Sequence, residues 1–176
     1  MNIEHVDWPA ITLFKTFPSA ALEKIKPLFD VRSYEAGENL ITEGDVGDEM
    51  FILIRGRVRI TKSMFLKGMN MPILEVDNPR KVLATMDETE YPLFGEIALI
   101  DTDTRSATIQ TLDQSHFLVT DRQKFFDFLD REPAIGNKLF MTLAKRMTAT
   151  IRKNNTELVK LSTALALALS RFKTSP

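Results

Sequence analysis

Residues 94–108 read FGEIALIDTDTRSAT, and no other part of the sequence says more about its architecture. Gly95 has no Cβ, so it allows a ligand to approach the backbone closely. Residues 96–100 suit one short helical turn, whose first N–H groups attract anions. Arg105 can offer a planar, permanently charged fork to a phosphate, and Glu96 can accept hydrogen bonds from ribose hydroxyls. Together these residues predict a pocket for a sugar phosphate.

This run resembles the phosphate-binding cassette of the cyclic nucleotide-binding domain family, whose pattern is F-G-E-[L/I]-A-L, a loop, and then R-[A/S/T]-A-[T/S]. Residues 31–45 look like the first strands and turn of that family, and residues 47–60 look like its next hairpin, with the glycines in place. The resemblance covers residues 13–160. It implies a mainly β fold, an antiparallel β-barrel of jelly-roll type with N-terminal helices and a long C-terminal helix.

The resemblance also implies a role for each residue of the pocket. Arg105 is expected to pair with the cyclic phosphate, Glu96 to bind the ribose 2′-hydroxyl, and Ser106 to add a hydroxyl or N–H group to the phosphate. Bacterial activators of the family often place a threonine on the long helix where Thr150 lies, and residues of that helix contact the base. The implied ligand is cAMP, with cGMP left open, because the Ser106 hydroxyl does not by itself separate the two. The expected ligand-binding residues are Gly95, Glu96, Ile97, Ala98, Arg105, Ser106, Ala107 and Thr150.

Composition narrows the classes of function. A chain of 176 residues with 44% hydrophobic and 27% charged residues is typical of one globular domain. The formal net charge of −1 gives no indication of a nucleic-acid surface. The absence of cysteine excludes disulfides, thiolate metal sites and a cysteine nucleophile. With neither a membrane-length apolar run nor a signal peptide in view, we expect a cytoplasmic protein with no membrane segment, metal site or catalytic group.

The pattern of hydrophobic and turn residues divides the domain into three segments. Residues 1–30 form an N-terminal helical segment with apolar residues on one face. In residues 31–120, short β-branched and aromatic runs alternate with Gly, Pro, Asn and Asp, which predicts the β-barrel that contains the cassette at 94–108. Residues 121–176 form the C-terminal helices. Asp121 is the predicted N-cap of the first, and the last is long, from residue 134 to about residue 172.

Three details of the barrel qualify the resemblance. Residues 64–89 are the least similar to the family, and within them 72–76 and 81–86 predict strands. Tyr91-Pro92-Leu93 stands where the family commonly has a glycine-bearing turn, so we expect the entrance to the pocket to differ. Glu43-Gly44-Asp45 predicts a turn, since short acidic side chains beside glycine commonly close one.

The long helix has its apolar residues at heptad spacing. Positions that alternate four and three residues apart predict the seam of a coiled coil. Asn154 is the only polar member, and a single asparagine in such a seam often fixes register and oligomer state. We therefore expect a parallel homodimer through residues 147–172. The members of the seam are Met147, Ile151, Asn154, Leu158, Leu161, Leu165, Ala168 and Phe172.

The predicted function is a non-catalytic cyclic nucleotide-binding module that signals to an unidentified effector protein through movement of its C-terminal helix. The residues after the long helix leave no room for a helix-turn-helix, so we expect no DNA-binding domain. One alternative is a degenerate domain that binds no nucleotide and acts as an interaction scaffold, which the altered turn at Tyr91-Pro92 favours. A truncated DNA-binding regulator is a weaker alternative, because the net charge argues against it. The basic residues Lys145, Arg146, Arg152 and Lys153 indicate a solvated helix face.

Overall fold

The computed structural model describes residues 3–63 and 80–173, with side chains up to Ser170. It divides into two compact units, Met1–Pro133 and Ala134–Pro176. The first unit contains the β-structure, and the second is helical. No helix in the described residues is long and apolar enough to cross a membrane.

The N-terminal segment is made of short helices, as predicted. Two 3₁₀ turns precede the helix α1, and a third follows it. Aromatic packing holds the segment together, because the Phe14 ring lies 5.2 Å from that of Trp8 and 5.5 Å from that of Phe29, measured between centroids. The elements are the 3₁₀ turns Ile3–His5, Trp8–Ala10 and Lys26–Leu28 and the helix α1, Ser19–Ile25.

The strands of residues 3–63 and 80–173 form two antiparallel four-stranded sheets, in the orders β1-β8-β3-β6 and β2-β7-β4-β5. This architecture confirms the predicted jelly-roll fold. The strand predicted at 81–86 is confirmed by β5, whereas the one predicted at 72–76 lies outside the described residues. The strands are β1 Asp30–Tyr34, β2 Asn39–Ile41, β3 Glu49–Arg55, β4 Arg57–Ser63, β5 Arg80–Asp87, β6 Leu93–Phe94, β7 Thr108–Thr111 and β8 Ser115–Asp121.

The interior of the barrel is filled by a hydrophobic core with residues from both sheets. Alternate residues of a strand face the same side of its sheet, and Phe51 and Leu53 of β3 accordingly join the same buried cluster. The Phe117 ring meets the Phe51 ring edge-on, with the centroids 6.3 Å apart. Full burial of such a side chain stabilises the fold by about 1.5–3 kcal/mol. The buried members are Ile41, Phe51, Leu53, Val58, Phe94, Ile109, Phe117 and Val119.

Three further helices lie in the described part of the chain. The predicted helical turn after Gly95 is α2, Glu96–Asp101. The helix α3, Arg122–Arg131, begins after Asp121, whose carboxylate accepts a hydrogen bond from the Lys124 backbone N–H at 2.8 Å, so the predicted N-cap is confirmed. The long helix α4, Pro133–Lys173, confirms the helix predicted from residue 134 to about residue 172. In the structure α3 falls in the same compact unit as the barrel.

Tyr91 adopts a backbone conformation that glycine adopts more easily. Its φ of 47° and ψ of 59° are left-handed, at the end of a 3₁₀ turn over Glu88–Glu90. A non-glycine residue pays about 1–2 kcal/mol for this conformation. The next residue is tied to the sheet, since the Leu53 N–H donates to the Pro92 carbonyl at 3.0 Å. At this departure from the family pattern the chain forms a left-handed turn without a glycine.

Two glycines with positive φ allow the cost of steric overlap to be separated from the cost of backbone strain. Gly37 and Gly56 have φ of 87° and 104°, but a Cβ on Gly37 meets nothing within 4 Å, whereas one on Gly56 would lie 2.8 Å from the Ser115 Cα. We expect Gly37→Ala to lower the free energy of unfolding by about 1 kcal/mol, the backbone cost alone. Gly56→Ala adds an overlap with backbone, and we expect a loss of about 3 kcal/mol or more. Urea denaturation of both variants measures this, and equal losses would contradict the packing at Gly56.

Candidate functional site

The site is built around Arg105, which follows α2 in the loop that leads to β7 and is 8% exposed. Its backbone is held on both sides of the residue. The Arg105 N–H donates to the Asp45 carbonyl at 2.8 Å, and the Arg105 carbonyl accepts from the Gly44 N–H at 2.9 Å. Gly44 has a φ of 88°, which confirms the predicted turn at Glu43-Gly44-Asp45. The turn therefore fixes where the arginine side chain starts.

The guanidinium of Arg105 is lodged between two glycines. A Cβ on Gly47 would lie 2.7 Å from Nη2 and 2.8 Å from Nε, and a Cβ on Gly95 would lie 2.5 Å from Nη1. Nη1 donates to the Glu49 carbonyl at 2.8 Å and lies 3.5 Å from the Gly95 carbonyl oxygen. The guanidinium carbon is 6.0 Å from the centre of the Phe51 ring. The close approach predicted at Gly95 is thus made, in this structure, by Arg105 itself.

The charge of Arg105 is only partly compensated by the protein. Burial lowers the pKa of its guanidinium, while the carboxylates of Glu49, Asp48 and Glu96 act in the opposite direction. An arginine side chain nevertheless remains protonated at neutral pH. No carboxylate in residues 3–63 or 80–170 forms an ion pair with it. A buried positive charge that is bonded to carbonyl oxygens but paired with no carboxylate of these residues is costly. The position therefore favours the binding of an anion beside the guanidinium.

The start of α2 lies beside this cation. Gly95, with a φ of 81°, is the residue that precedes the helix, and as a glycine it has no side chain that could cap the first turn. The opening N–H groups of a helix have no partner within it, which favours negative charge there. Glu96 is half-buried, and its carboxylate attracts the Arg105 charge. Ala98 is buried and Ile97 is 44% exposed, so of this pair the Ile97 side chain is the one available to a ligand.

The remaining predicted residues fall in two places. Ser106 and Ala107 follow Arg105, with Ser106 exposed and Ala107 half-buried, and the Ser106 carbonyl accepts from Lys62 Nζ at 2.7 Å. The structure therefore brings the predicted residues 95–98 and 105–107 to one region of the barrel. Thr150 belongs to the second compact unit, where it is exposed on α4 and donates its hydroxyl to the Arg146 carbonyl at 3.3 Å. Its role in base recognition stays a prediction.

A second arginine holds the other end of α2. Arg122, the first residue of α3, donates through Nη1 to the Leu99 carbonyl at 2.5 Å and the Ile100 carbonyl at 2.6 Å. Its guanidinium also lies over the Phe126 ring, 4.7 Å from the centre. A cation at the carboxyl end of a helix interacts favourably with the helix dipole. The cassette helix is thereby attached to α3 as well as to the barrel.

Sequence reasoning did not find Gly47 or Phe51 as parts of the site. Gly47 does not have a positive φ, so no turn requires a glycine at this position. What requires it is the Arg105 side chain packed against it. In the sequence, the one signal for this contact is the position of Gly47 just before a strand, since a glycine there often marks a place where another group approaches the backbone closely.

Comparison with known proteins adds three findings at the level of sequence. A family model described as the cyclic nucleotide-binding domain matches residues 31–132, more than half of the chain. The human cGMP-dependent protein kinase 2 is 35% identical over 117 residues, which are 66% of this chain and 14% of the kinase. The CRP-like cAMP-activated global transcriptional regulator of Mycobacterium tuberculosis is 27% identical over 133 residues, 76% of this chain and 53% of the regulator. The chain thus spans about half, or much less, of the length of these relatives.

Comparison of structures gives the same architecture. The catabolite activator protein of Thermus thermophilus superposes with a TM-score of 0.70 at 23% sequence identity. The superposition covers 86% of this chain and 63% of that protein. At this identity the likeness shows a shared fold.

The two glycines that flank Arg105 are expected to respond differently to an added methyl group. At Gly47 the Cβ would meet only the end of the Arg105 side chain, which can move, so we expect Gly47→Ala to change the free energy of unfolding by about 1 kcal/mol or less. At Gly95 the Cβ would lie 2.4 Å from the Glu49 carbonyl oxygen, on a residue with φ of 81°. We expect Gly95→Ala to cost about 3 kcal/mol or more. Chemical denaturation of the two variants compares them, and a loss at Gly47 as large as that at Gly95 would contradict this packing.

Proposed function

The chain belongs to the cyclic nucleotide-binding domain family, and from this premise we propose that it is a non-catalytic module that binds cAMP and signals through its C-terminal helix. The observation that supports this most is the buried guanidinium of Arg105, which lies between Gly47 and Gly95 at the start of α2. A cyclic phosphate carries one negative charge and supplies the anion that this position favours. A charge-assisted pair in such a place is stronger than one at the surface.

Each proposed ligand-binding residue is assigned to one chemical group of the nucleotide. Arg105 binds the phosphate, together with the first N–H groups of α2 and the backbone and hydroxyl of Ser106. Ala107 contributes backbone to the same phosphate. Glu96 accepts a hydrogen bond from the ribose 2′-hydroxyl. The carboxylate of Glu96 lies near enough to Arg105 to act on its pKa, in the raising direction. This proximity suits a ligand whose phosphate and ribose are fused in one compact ring.

The preference for cAMP over cGMP is the finer part of the proposal. The relative named for cGMP is the more similar in sequence, at 35% against 27% identity, and the relative named for cAMP matches more of the chain, 76% against 66%, so these two relatives do not separate the nucleotides. A solved structure of cAMP-bound PfPKA-R, which is 28% identical to this chain and covers 69% of it with a TM-score of 0.54, supports cAMP. We therefore propose cAMP, with the base recognised in part by Thr150 on α4. A ligand shifts an equilibrium only as far as its contacts differ between the two states. A base contact on α4 would make such a difference and would let cAMP change the position of that helix.

We propose further that α4 forms a parallel homodimer through residues 147–172. Its seam residues are exposed on the single chain, at 57% for Ile151, 63% for Leu158, 62% for Leu161 and 61% for Leu165. Apolar side chains at heptad spacing are buried when a second identical helix packs against them. An effector protein, still to be identified, would then read the state of the dimer in the cytoplasm.

Calorimetric titration with cAMP and with cGMP tests the binding proposal. We expect the wild-type protein to bind cAMP more tightly than cGMP, and Arg105→Ala to weaken binding by about thirtyfold or more, the loss typical of a truncated buried charge pair. Arg105→Lys keeps the positive charge but loses the two-pronged guanidinium, and Gly47→Ala displaces the guanidinium of Arg105. The cAMP affinity of both variants should therefore lie between those of the wild type and Arg105→Ala. Arg59→Ala, an exposed arginine on β4, is the control and should bind as the wild type does.

The result that would overturn the binding proposal is a folded wild-type chain that gives no heat with either nucleotide. That result would favour the scaffold alternative and direct the search to protein partners. Wild-type binding that survives intact in both Arg105→Ala and Gly47→Ala would instead show that the nucleotide binds elsewhere on the chain.

Two neighbouring residues of α4 test the dimer. Leu158 and Val159 are 63% and 65% exposed, but they point about 100° apart around the helix, and only Leu158 lies in the seam. We expect Leu158→Asp to convert the dimer to a monomer, because it places charges against each other in the apolar seam. Val159→Asp should leave the dimer intact. Sedimentation velocity at micromolar concentration measures both, and a monomeric wild type or equal effects of the two changes would contradict the seam.

A further inference from the structure

The cassette residues after α2 are held by side chains of the paired strands β4 and β5. Lys62 on β4 donates from Nζ to the Ser106 carbonyl at 2.7 Å. Arg80, the first residue of β5, donates from Nη2 to the Thr108 hydroxyl oxygen. Neither basic residue belongs to the motif of residues 94–108.

The end of the cassette at Thr108 is fixed by a network of four groups. The Thr108 hydroxyl oxygen also accepts from the Glu43 N–H at 2.9 Å. The Glu43 carboxylate in turn receives Arg80 Nη2 at 3.1 Å and the Ser63 N–H at 2.8 Å. At the other end, the Arg105 backbone is bonded to the turn at Gly44-Asp45. The peptide between Ser106 and Ala107 therefore lies between two anchored residues.

Lys62 acts on that remaining peptide. In a planar trans peptide, the carbonyl of one residue and the N–H of the next point in opposite directions. By holding the Ser106 carbonyl, Lys62 fixes the direction in which the Ala107 N–H is presented. A cation on the carbonyl also polarises the peptide and makes its N–H a stronger donor.

Lys62 has a like-charged neighbour in the sheet that provides a matched position for comparison. Lys62 pairs in register with Lys81 of β5, so the two lysines stand opposite each other. The ammonium of Lys62 has the Ser106 carbonyl as an acceptor, so a change at Lys62 removes this contact, whereas the same change at Lys81 removes only a charge of the same sign.

We propose that Lys62 is a positioning residue for the ligand phosphate, which acts by orienting the Ser106–Ala107 peptide toward it. This inference rests on the proposed function of the same site. Lys62 sets the affinity for the cyclic phosphate without contact to the nucleotide, while Arg80 and Glu43 secure the adjoining residue.

The test compares Lys62→Met with Lys81→Met, which removes the same charge from the paired position one strand away. We expect Lys62→Met to weaken cAMP binding about tenfold, the effect of one lost hydrogen bond to a charged group, at both low and high salt. Lys62→Arg should restore most of the affinity, and Lys81→Met should bind as the wild type does. A loss that disappears at high salt would mean a general effect of charge and would overturn the proposal, as would equal losses in the two methionine variants.

A second measurement separates this proposal from the proposed function. In protein without nucleotide, the amide resonance of Ala107 should shift in Lys62→Met but not in Lys81→Met. If the wild type binds no cyclic nucleotide, the proposed function fails, and with it the phosphate role, while the amide data still report whether Lys62 holds the peptide. An unchanged Ala107 amide in Lys62→Met would overturn the positioning role even if nucleotide binding is normal.

Discussion

The burial of one positive charge is the constraint on which the site depends. A guanidinium taken out of water needs hydrogen-bond acceptors and close, shape-matched surroundings. For Arg105 these come from the Glu49 carbonyl and from the bare backbones of Gly47 and Gly95. Different parts of the chain meet these needs, since the turn at Gly44-Asp45 holds the Arg105 backbone and the strand β3 presents the Glu49 carbonyl. The barrel is what brings these parts together.

The strand β3 has a central place in that arrangement. It lies between β8 and β6 in its sheet, so it is bonded on both sides. It contributes the Glu49 carbonyl to Arg105, and its Phe51 side chain both joins the core and lies near the guanidinium. Its partner β6 leads directly into Gly95 and α2. The packing of the core and the geometry of the site are consequently set by the same strand, and a change that loosens one is expected to move the other.

Local features of the site could be predicted from the sequence, and features that depend on packing could not. The helical turn after Gly95 and the turn at Gly44 are decided by residues adjacent in the chain. The contact of Gly47 with Arg105 depends on two segments that meet only in the folded barrel. The same holds for two hydrogen bonds between distant segments, from Arg122 to a carbonyl near the end of α2 and from Lys62 to the Ser106 carbonyl. At Tyr91 the sequence lacks the glycine that the family commonly has, yet the chain forms a left-handed turn there, beside hydrogen bonds from the Tyr91 N–H to the Glu88 carbonyl and from the Leu53 N–H to the Pro92 carbonyl.

Firm attachment of the cassette has a consequence for signalling. Arg105 is tied to the turn at Gly44-Asp45, α2 is tied to α3 through Arg122, and Thr108 is tied to Glu43 and Arg80. A site held at so many points binds with little loss of conformational entropy, but it also has little freedom to change shape. If the ligand contacts only a rigid site, both conformations of the protein bind it equally well. Such contacts raise the affinity but leave the equilibrium between the conformations unchanged. A signal therefore requires that the ligand also contact an element outside this network. The helix α4 forms a compact unit of its own, which is why the proposed base contact at Thr150, rather than the phosphate contact at Arg105, would decide whether binding becomes a signal.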